Sequence, residues 1–205
     1  MQAETRTGPV VAADGTISPA RGGKTGEVVV GDAHGRYREA VSRGAVFSGS
    51  VTGQVTTVGT AATYTGLVLS NPIGSGYNLS VLAVGYSFIV AFTAAAHVGL
   101  MTGFHASTNV VHTVVVTPLN QLIGGAAGVG RLDSSATLPI AGSVNSILAS
   151  ADTGLVTTAP VIPGGLVAIE GAIELAPGSY VAFYTSTASG AAGSAFSIGW
   201  EEIKN

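Results

Sequence analysis

The sequence predicts an all-β protein, a jelly-roll-like β-sandwich preceded by an extended N-terminal arm. Two observations lead to this fold class. Large and small residues alternate with period two over residues 81–92, and the density of charged residues changes abruptly near residue 44. The chain has 205 residues, which suits one domain with a tail. No segment shows the pattern of a long amphipathic helix.

The uneven charge divides the chain into two parts. Residues 1–43 hold six basic and five acidic side chains, whereas no charged residue occurs from Gly44 to Gly130. We therefore predict an arm over residues 1–43 and a β-sandwich body over residues 44–205.

The arm is rich in glycine and proline and poor in large apolar residues, so it cannot bury enough surface to fold alone. A short helix is expected around residues 36–42, and it is marginal at that length. Two interpretations stay open: a disordered leader, or an arm that orders along a partner.

The body is expected to contain eight to ten strands. Within residues 81–92 most of the large side chains fall on even positions, which places them on one face of a strand. Residues rich in threonine, valine and tyrosine predict further strands. These strands span residues 50–58, 63–69, 110–116, 166–175, 180–187 and 195–203. Asn-Pro and Pro-Gly pairs supply turns between them.

Residues 81–101 form a largely apolar stretch that is long enough to cross a bilayer as a helix. The stretch lacks flanking basic residues, contains His97 and alternates as a strand does, so buried strands explain it better. The start of the chain lacks a secretory signal, which predicts release into the cytoplasm of the producing cell.

The sequence offers no convincing catalytic or cofactor motif. Residues 22–25 read Gly-Gly-Lys-Thr, but a phosphate-binding loop requires glycine where Ser18 stands. Glu170 and Glu174 share a strand face roughly 13 Å apart, which is too far for paired acid–base work within one strand. Of Glu201 and Glu202, on opposite faces, one is expected to be solvated and the other hydrogen-bonded. We expect no enzyme activity and no cofactor.

The four histidines are His34, His97, His105 and His112. Their spacing is wider than that of typical zinc ligands, so we expect no metal site and interpret them as ordinary strand or trimer-axis histidines. His97 and His105 have the same strand parity, yet Gly99 and Gly103 argue against one strand running through both. Trp200 is expected in the core or at a subunit contact.

The low charge predicts association. Only 9% of residues are charged, so much of the surface of a lone subunit would be neutral and would favour contact with other copies or a larger body. The isoelectric point near 5.7 argues against a basic nucleic-acid-binding face. We expect a homo-oligomer that binds neither nucleic acid nor membrane.

Four strings carry a resemblance to a known class of proteins. They are Gly-Asp-Ala-His-Gly-Arg-Tyr-Arg-Glu-Ala-Val-Ser-Arg-Gly at 31–44, Thr-Gly-Leu-Val-Leu-Ser-Asn-Pro at 65–72, Asn-Leu-Ser-Val-Leu at 78–82 and Ser-Ala-Phe-Ser-Ile-Gly-Trp-Glu-Glu-Ile at 194–203. Together they resemble tailed-bacteriophage virion structural proteins of the capsid decoration, or cement, type. The resemblance covers most of residues 31–203, and its strings are structural rather than catalytic.

The resemblance implies a trimer on the outer surface of the capsid, with arms lying over the major capsid protein. It implies no catalytic residues. The arm residues expected to contact the capsid are Arg6, Arg21, Lys24, Arg36, Tyr37, Arg38 and Arg43.

A different class also suits a β-sandwich, namely a tail-associated or glycan-binding module. Its sugar-stacking candidates are Tyr64, Tyr77, Tyr86, Tyr180, Tyr184 and Trp200.

Overall fold

The computed structural model describes residues 35–56, 60–88, 92, 94–151, 164–188 and 193–205. The chain forms two compact units, residues 1–38 and residues 39–205. Most of the predicted arm, residues 1–34, lies outside the described residues. So do parts of the predicted strands at 50–58 and 81–92, including Val90.

A short helix, α1 (Arg38–Ser42), lies within the region predicted to be helical. Its end is a Schellman motif, in which Ala45 N donates to Ala40 O and Gly44 N donates to Val41 O. Gly44 has a φ of 69°, the left-handed conformation that this motif requires. The glycine at the predicted boundary therefore ends the helix and directs the chain into the first strand.

Twelve strands occur in the described residues, and the predicted all-β sandwich is confirmed. They are β1 (Val46–Gln54), β2 (Thr63–Ser70), β3 (Tyr77–Phe88), β4 (Ala96–Phe104), β5 (Val111–Val116), β6 (Leu119–Asn120), β7 (Arg131–Thr137), β8 (Ser143–Ala151), β9 (Gly165–Ala168), β10 (Glu174–Leu175), β11 (Ser179–Thr185) and β12 (Ser194–Lys204).

The strands form two antiparallel sheets with jelly-roll connectivity. Sheet I has the order β10-β3-β12-β1-β6, with β9 also paired to β3, and sheet II has the order β5-β7-β2-β11-β4-β8. The chain alternates between the sheets from β1 to β4. It returns so that β11 lies between β2 and β4, and β12 lies between β3 and β1. This is the arrangement of two interlocked Greek keys.

Residues 105–142, here called the insertion, separate β4 from β8. Its strands β7 and β5 extend sheet II beyond β2, and β6 pairs with β1 at the edge of sheet I. The insertion thus reaches both sheets on one side of the sandwich.

The main core lies between the sheets. Phe183 of sheet II and Phe196 of sheet I stack with ring centroids 4.2 Å apart, and Trp200 packs beside Phe47. Leu69, on β2, is also fully buried in this core. Burial of such side chains is the main favourable contribution to folding.

Sheet II is also covered on its outer face. Tyr64, Met101 and Tyr180 point away from the main core and form a second cluster with Val110 and Leu138 of the insertion. Two tyrosine hydroxyls in this cluster donate to carbonyl oxygens, Tyr64 to Phe183 and Tyr180 to Ile140, each at 2.7 Å. The strands of sheet II are therefore apolar on both faces at their centre, as expected for doubly covered strands.

The predicted even-position alternation holds only for part of β3. Leu79 and Val81 are in the core, and so are Val84 and Phe88. The parity changes because the pairing with β12 has a bulge, with Trp200 opposite Val81 and Gly199 opposite Ala83. Leu82 is the extra residue, and its carbonyl accepts hydrogen bonds from the β9–β10 turn. The bulge cannot be seen in the sequence of β3 alone.

No single strand runs through both His97 and His105, as expected, because β4 ends at Phe104. The expectation that Gly99 and Gly103 are what prevents it was wrong. Strand β4 runs through both Gly99 and Gly103. A Cβ at Gly99 would collide with Ser146 O of β8, and one at Gly103 would collide with the ring of Tyr180. These glycines mark places where a neighbouring chain approaches closely, which is one reason for glycine within a strand.

The predicted strand over residues 166–175 was also wrong, because it is two strands. Glu170 and Gly171 both have positive φ, 53° and 85°, and form a turn between β9 and β10. Both short strands pair with β3, so the turn folds against the bulge at Leu82.

We predict that Gly99→Ala destabilises the fold by about 1–3 kcal/mol, because a Cβ must displace the backbone of β8. Urea unfolding followed by circular dichroism measures the loss. Gly35→Ala is the matched control, since a Cβ there meets no atom within 4 Å. Equal stability of both variants and the wild type would contradict the close approach of β4 and β8.

Candidate functional site

The residues predicted to contact a capsid are only partly within the described chain. Arg6, Arg21 and Lys24 lie outside it, as do the Gly-Gly-Lys-Thr segment and His34. Arg36 and Arg38 are exposed, and Tyr37 is half-buried. Their role in binding stays a prediction.

Arg43 lies at the end of α1, within the unit of residues 39–205. Its Nη2 is 3.6 Å from Glu201 Oε1, and its side chain is 62% exposed. An ion pair this exposed contributes little to stability. Its guanidinium is accessible and held near β12.

A buried acidic group forms the centre of a polar cluster between β5 and β7. Asp133 is fully buried, and its Oδ2 lies 2.5 Å from His112 Nδ1. The other ring nitrogen, Nε2, is 3.0 Å from Arg131 Nη1. Arginine can only donate, so Nε2 is the acceptor and Nδ1 carries the proton donated to Asp133. His112 therefore links a carboxylate to a guanidinium.

Burial raises the pKa of Asp133, and the opposing effects of His112 and Arg131 only partly offset it. The second carboxylate oxygen, Oδ1, has no hydrogen-bond partner. Hydrogen bonding at Oδ2 alone leaves the ionised form costly at this position.

The His112–Asp133 pair resembles the orienting half of a catalytic triad, but its geometry does not suit catalysis. The nitrogen that would take a proton, Nε2, already accepts a hydrogen bond from Arg131. The adjacent crevice, lined in part by Ser70 and Asn71, has a volume of about 10 Å³, room for about one water molecule. The arrangement instead holds β5 against β7.

The two other histidines in the described residues, His97 and His105, do not gather into a site. His97 Nδ1 lies 2.9 Å from Ser150 Oγ on the neighbouring strand, and His105 follows the end of β4. Within the described part of the chain, no group of three or more histidine, aspartate and glutamate side chains is placed to hold a metal ion.

The four carboxylates considered from the sequence take separate structural positions. Glu170 stands in the turn after β9, and Glu174 on β10 accepts a 2.7 Å hydrogen bond from Asn78 Nδ2. The expectation that these two share a strand face was wrong, because a turn separates them. Glu201 pairs with Arg43, as described above.

Glu202 anchors the insertion to β12. Its carboxylate accepts hydrogen bonds from the backbone N–H groups of Val129 and Gly130, at 2.8–3.0 Å. Trp200 Nε1 donates to the same carboxylate at 3.4 Å. The prediction of one hydrogen-bonded carboxylate in this pair is confirmed. Its partners come from a loop more than seventy residues away in sequence, so only the fold identifies them.

The aromatic residues proposed for sugar stacking are mostly inaccessible. Trp200, Tyr64 and Tyr180 are among the most buried side chains, and Tyr77, Tyr86 and Tyr184 are half-buried. Phe104, which sequence analysis did not single out, is 57% exposed at the end of β4. No sequence signal separates it from the buried phenylalanines.

The insertion carries a concentrated apolar surface. Fourteen large apolar side chains are exposed in the described residues, and six of them lie between residues 111 and 123. The six are Val111, Val114, Val115, Leu119, Leu122 and Ile123. Ile123 is 91% exposed. We call these six residues the apolar surface.

The loop that presents Ile123 is held by hydrogen bonds. Asn120 Nδ2 donates to Gly44 O and Ala126 O at 3.0 and 2.8 Å, and Asn120 Oδ1 accepts from Leu122 N at 2.8 Å. Gln121 Nε2 donates to Ser48 Oγ at 2.6 Å. The apolar side chains are therefore displayed on an ordered support joined to β1.

No helix in the described ranges is long and apolar enough to span a membrane. The apolar stretch at 81–101 instead contributes to β3 and β4. No protein-family model, curated protein or solved structure matches this chain.

We predict that the stability of the wild type relative to Asp133→Asn rises as pH is lowered toward about 4. The folded pKa of Asp133 is raised, so below it the folded state binds a proton that the unfolded state takes up only near pH ~3.9. Asparagine cannot titrate, and its amide oxygen can still accept from His112.

Thermal unfolding of both proteins between pH 7 and pH 4 measures this difference. A constant difference in midpoint temperature across that range would show that Asp133 titrates normally in the fold.

Proposed function

We propose that this protein is a virion structural protein that decorates and stabilises a phage capsid as a homotrimer. Its arm lies over the major capsid protein, and its location is the outer capsid surface. The proposal concerns a binding and stabilising role without catalysis.

The observation that carries the proposal is the apolar surface of the insertion. An ordered loop that places Ile123 almost wholly in water has a cost unless a partner covers it, because exposed apolar area is unfavourable. The surrounding chain from Gly44 to Gly130 has no charged side chain, so a contact there buries no unpaired charge.

A second copy of the chain is the partner that this surface favours. Its members lie on the edge strand β5, on β6 and on the loop beyond β6, all on the insertion side of the sandwich. In a cyclic trimer each subunit presents this side to a different surface of its neighbour. Preorganisation by Asn120 and Gln121 reduces the ordering cost of that contact.

The arm supports attachment to a larger body. Residues 1–43 mix six basic and five acidic side chains with many glycines and prolines, which suits many polar contacts along an extended path. The resemblance of residues 31–44, 65–72, 78–82 and 194–203 to decoration proteins supports a capsid as that body, and the jelly-roll body is consistent with it.

We predict that Ile123→Asp converts the oligomer to monomers. A carboxylate at the most exposed position of the apolar surface would have to be desolvated in the contact. Sedimentation velocity at several concentrations measures the mass. Leu166→Asp, at a position 77% exposed on sheet I, is the control and should remain oligomeric. A wild-type protein that stays monomeric at high concentration would refute the oligomer.

We predict that deleting residues 1–38 abolishes capsid binding and leaves the oligomer intact, because the deletion removes the first compact unit only. Co-sedimentation with phage capsids that lack the decorating protein measures binding. A full-length variant with Arg6, Arg21 and Lys24 changed to glutamine distinguishes the loss of basic side chains from the loss of the whole segment. Full occupancy of capsids by the truncated protein would refute the role of the arm.

A further inference from the structure

We infer that a cleft at one end of the sandwich binds a neutral saccharide. One side of the cleft is formed by β4 and β8 of sheet II, and the other by residues 172–175, which include β10 of sheet I. Its volume is about 450 Å³. That volume is within the range of small-molecule sites. The side chains that matter here are Thr102, Phe104, Ser143, Asn145 and Glu174.

Phe104 supplies an apolar platform. The chain has thirteen phenylalanine, tyrosine and tryptophan residues, all within the described ranges, and Phe104 alone among them is exposed. It is the last residue of β4 and pairs with Ser179 of β11, so its backbone is fixed in sheet II. The C–H groups on one face of a pyranose ring pack well on such an aromatic face.

Polar groups surround this platform. Glu174 is exposed, and the 2.7 Å hydrogen bond from Asn78 Nδ2 to its Oε1 restrains the carboxylate. Asn145 and Ser143 are exposed on β8 beside it. Together they offer hydrogen-bond acceptors and donors for several hydroxyl groups, around the single aromatic ring of Phe104.

The charge of the cleft favours a neutral, hydroxyl-rich ligand. None of the residues that line it is basic, so an anionic sugar would meet Glu174 without a compensating cation. An apolar protein surface would bury that carboxylate and offer it no donor besides Asn78, which is costly. Hydroxyl groups can donate to it.

Binding without cleavage is expected. Glycoside hydrolysis typically requires two carboxyl groups about the scissile bond, and among the described residues Glu174 is the one carboxylate lining this cleft. The site would therefore bind a glycan on a surface without cutting the glycan from that surface.

This inference does not depend on the proposed function. The cleft residues are separate from the apolar surface, and none of them belongs to the arm. A decorating protein with such a cleft would give the particle a weak, multivalent affinity for glycan-coated surfaces.

The test uses the full-length protein on an array of neutral oligosaccharides built from glucose, galactose, mannose and N-acetylhexosamines. Titration calorimetry with the oligosaccharide that is retained best then compares Phe104→Ala and Glu174→Gln with the wild type. Leu166→Ala, which removes an equally exposed apolar side chain on the other sheet, is the control.

We expect Phe104→Ala to weaken binding at least tenfold, on the order of the free energy of one ring contact. Glu174→Gln should also weaken it, and Leu166→Ala should not. Sedimentation of each variant should match the wild type, which separates this result from any failure of the oligomer. Retention of no neutral oligosaccharide, or unchanged binding by Phe104→Ala, would overturn the inference.

Discussion

The apolar contact between sheet I and sheet II is the constraint on which the other features depend. Phe183 of β11 and Phe196 of β12 stack at its centre. Each of these strands lies between two strands that come earlier in the sequence. Since β11 and β12 come last in sequence, the core closes only when the end of the chain returns. Most stabilising contacts therefore join residues far apart in sequence, as is typical of β-sandwiches.

The insertion packs on the sandwich that this contact holds together, and its two sides have different surroundings. Its inner side covers the outer face of sheet II through Val110 and Leu138, and Glu202 on β12 holds its loop by the backbone at Val129 and Gly130. Its outer side carries the exposed apolar residues that we propose as the subunit contact. The same segment thus covers one sheet and carries the surface that we propose as the subunit contact.

Several ionisable groups in the described residues stabilise the fold. Asp133 is buried with His112 and Arg131 around it, and these three side chains hold the edge strand β5 in register with β7. Arg43 and Glu201 pair at the surface. With so few charges, most of the surface available for recognition is neutral, which fits both a self-contact and a saccharide cleft.

The sequence by itself determined the all-β class and the change in character near residue 44, because alternation and charge density are local properties. The helix α1 ends at Ser42, and Gly44, in the left-handed conformation, leads from it into β1. The features that depend on which strands pair were decided by the tertiary structure. The bulge at Leu82 changed the parity of β3, close approach explained Gly99 and Gly103, and strand pairing joined His112 to Asp133.

The candidate sites show the same division. Low charge predicted an associating surface without locating it, because exposure depends on which strand becomes an edge. Phe104 and Phe183 look alike in sequence, yet one lies at the open end of β4 and the other between the sheets. Burial is a property of position in the folded chain, so only the packed sandwich separates a core aromatic residue from an exposed one.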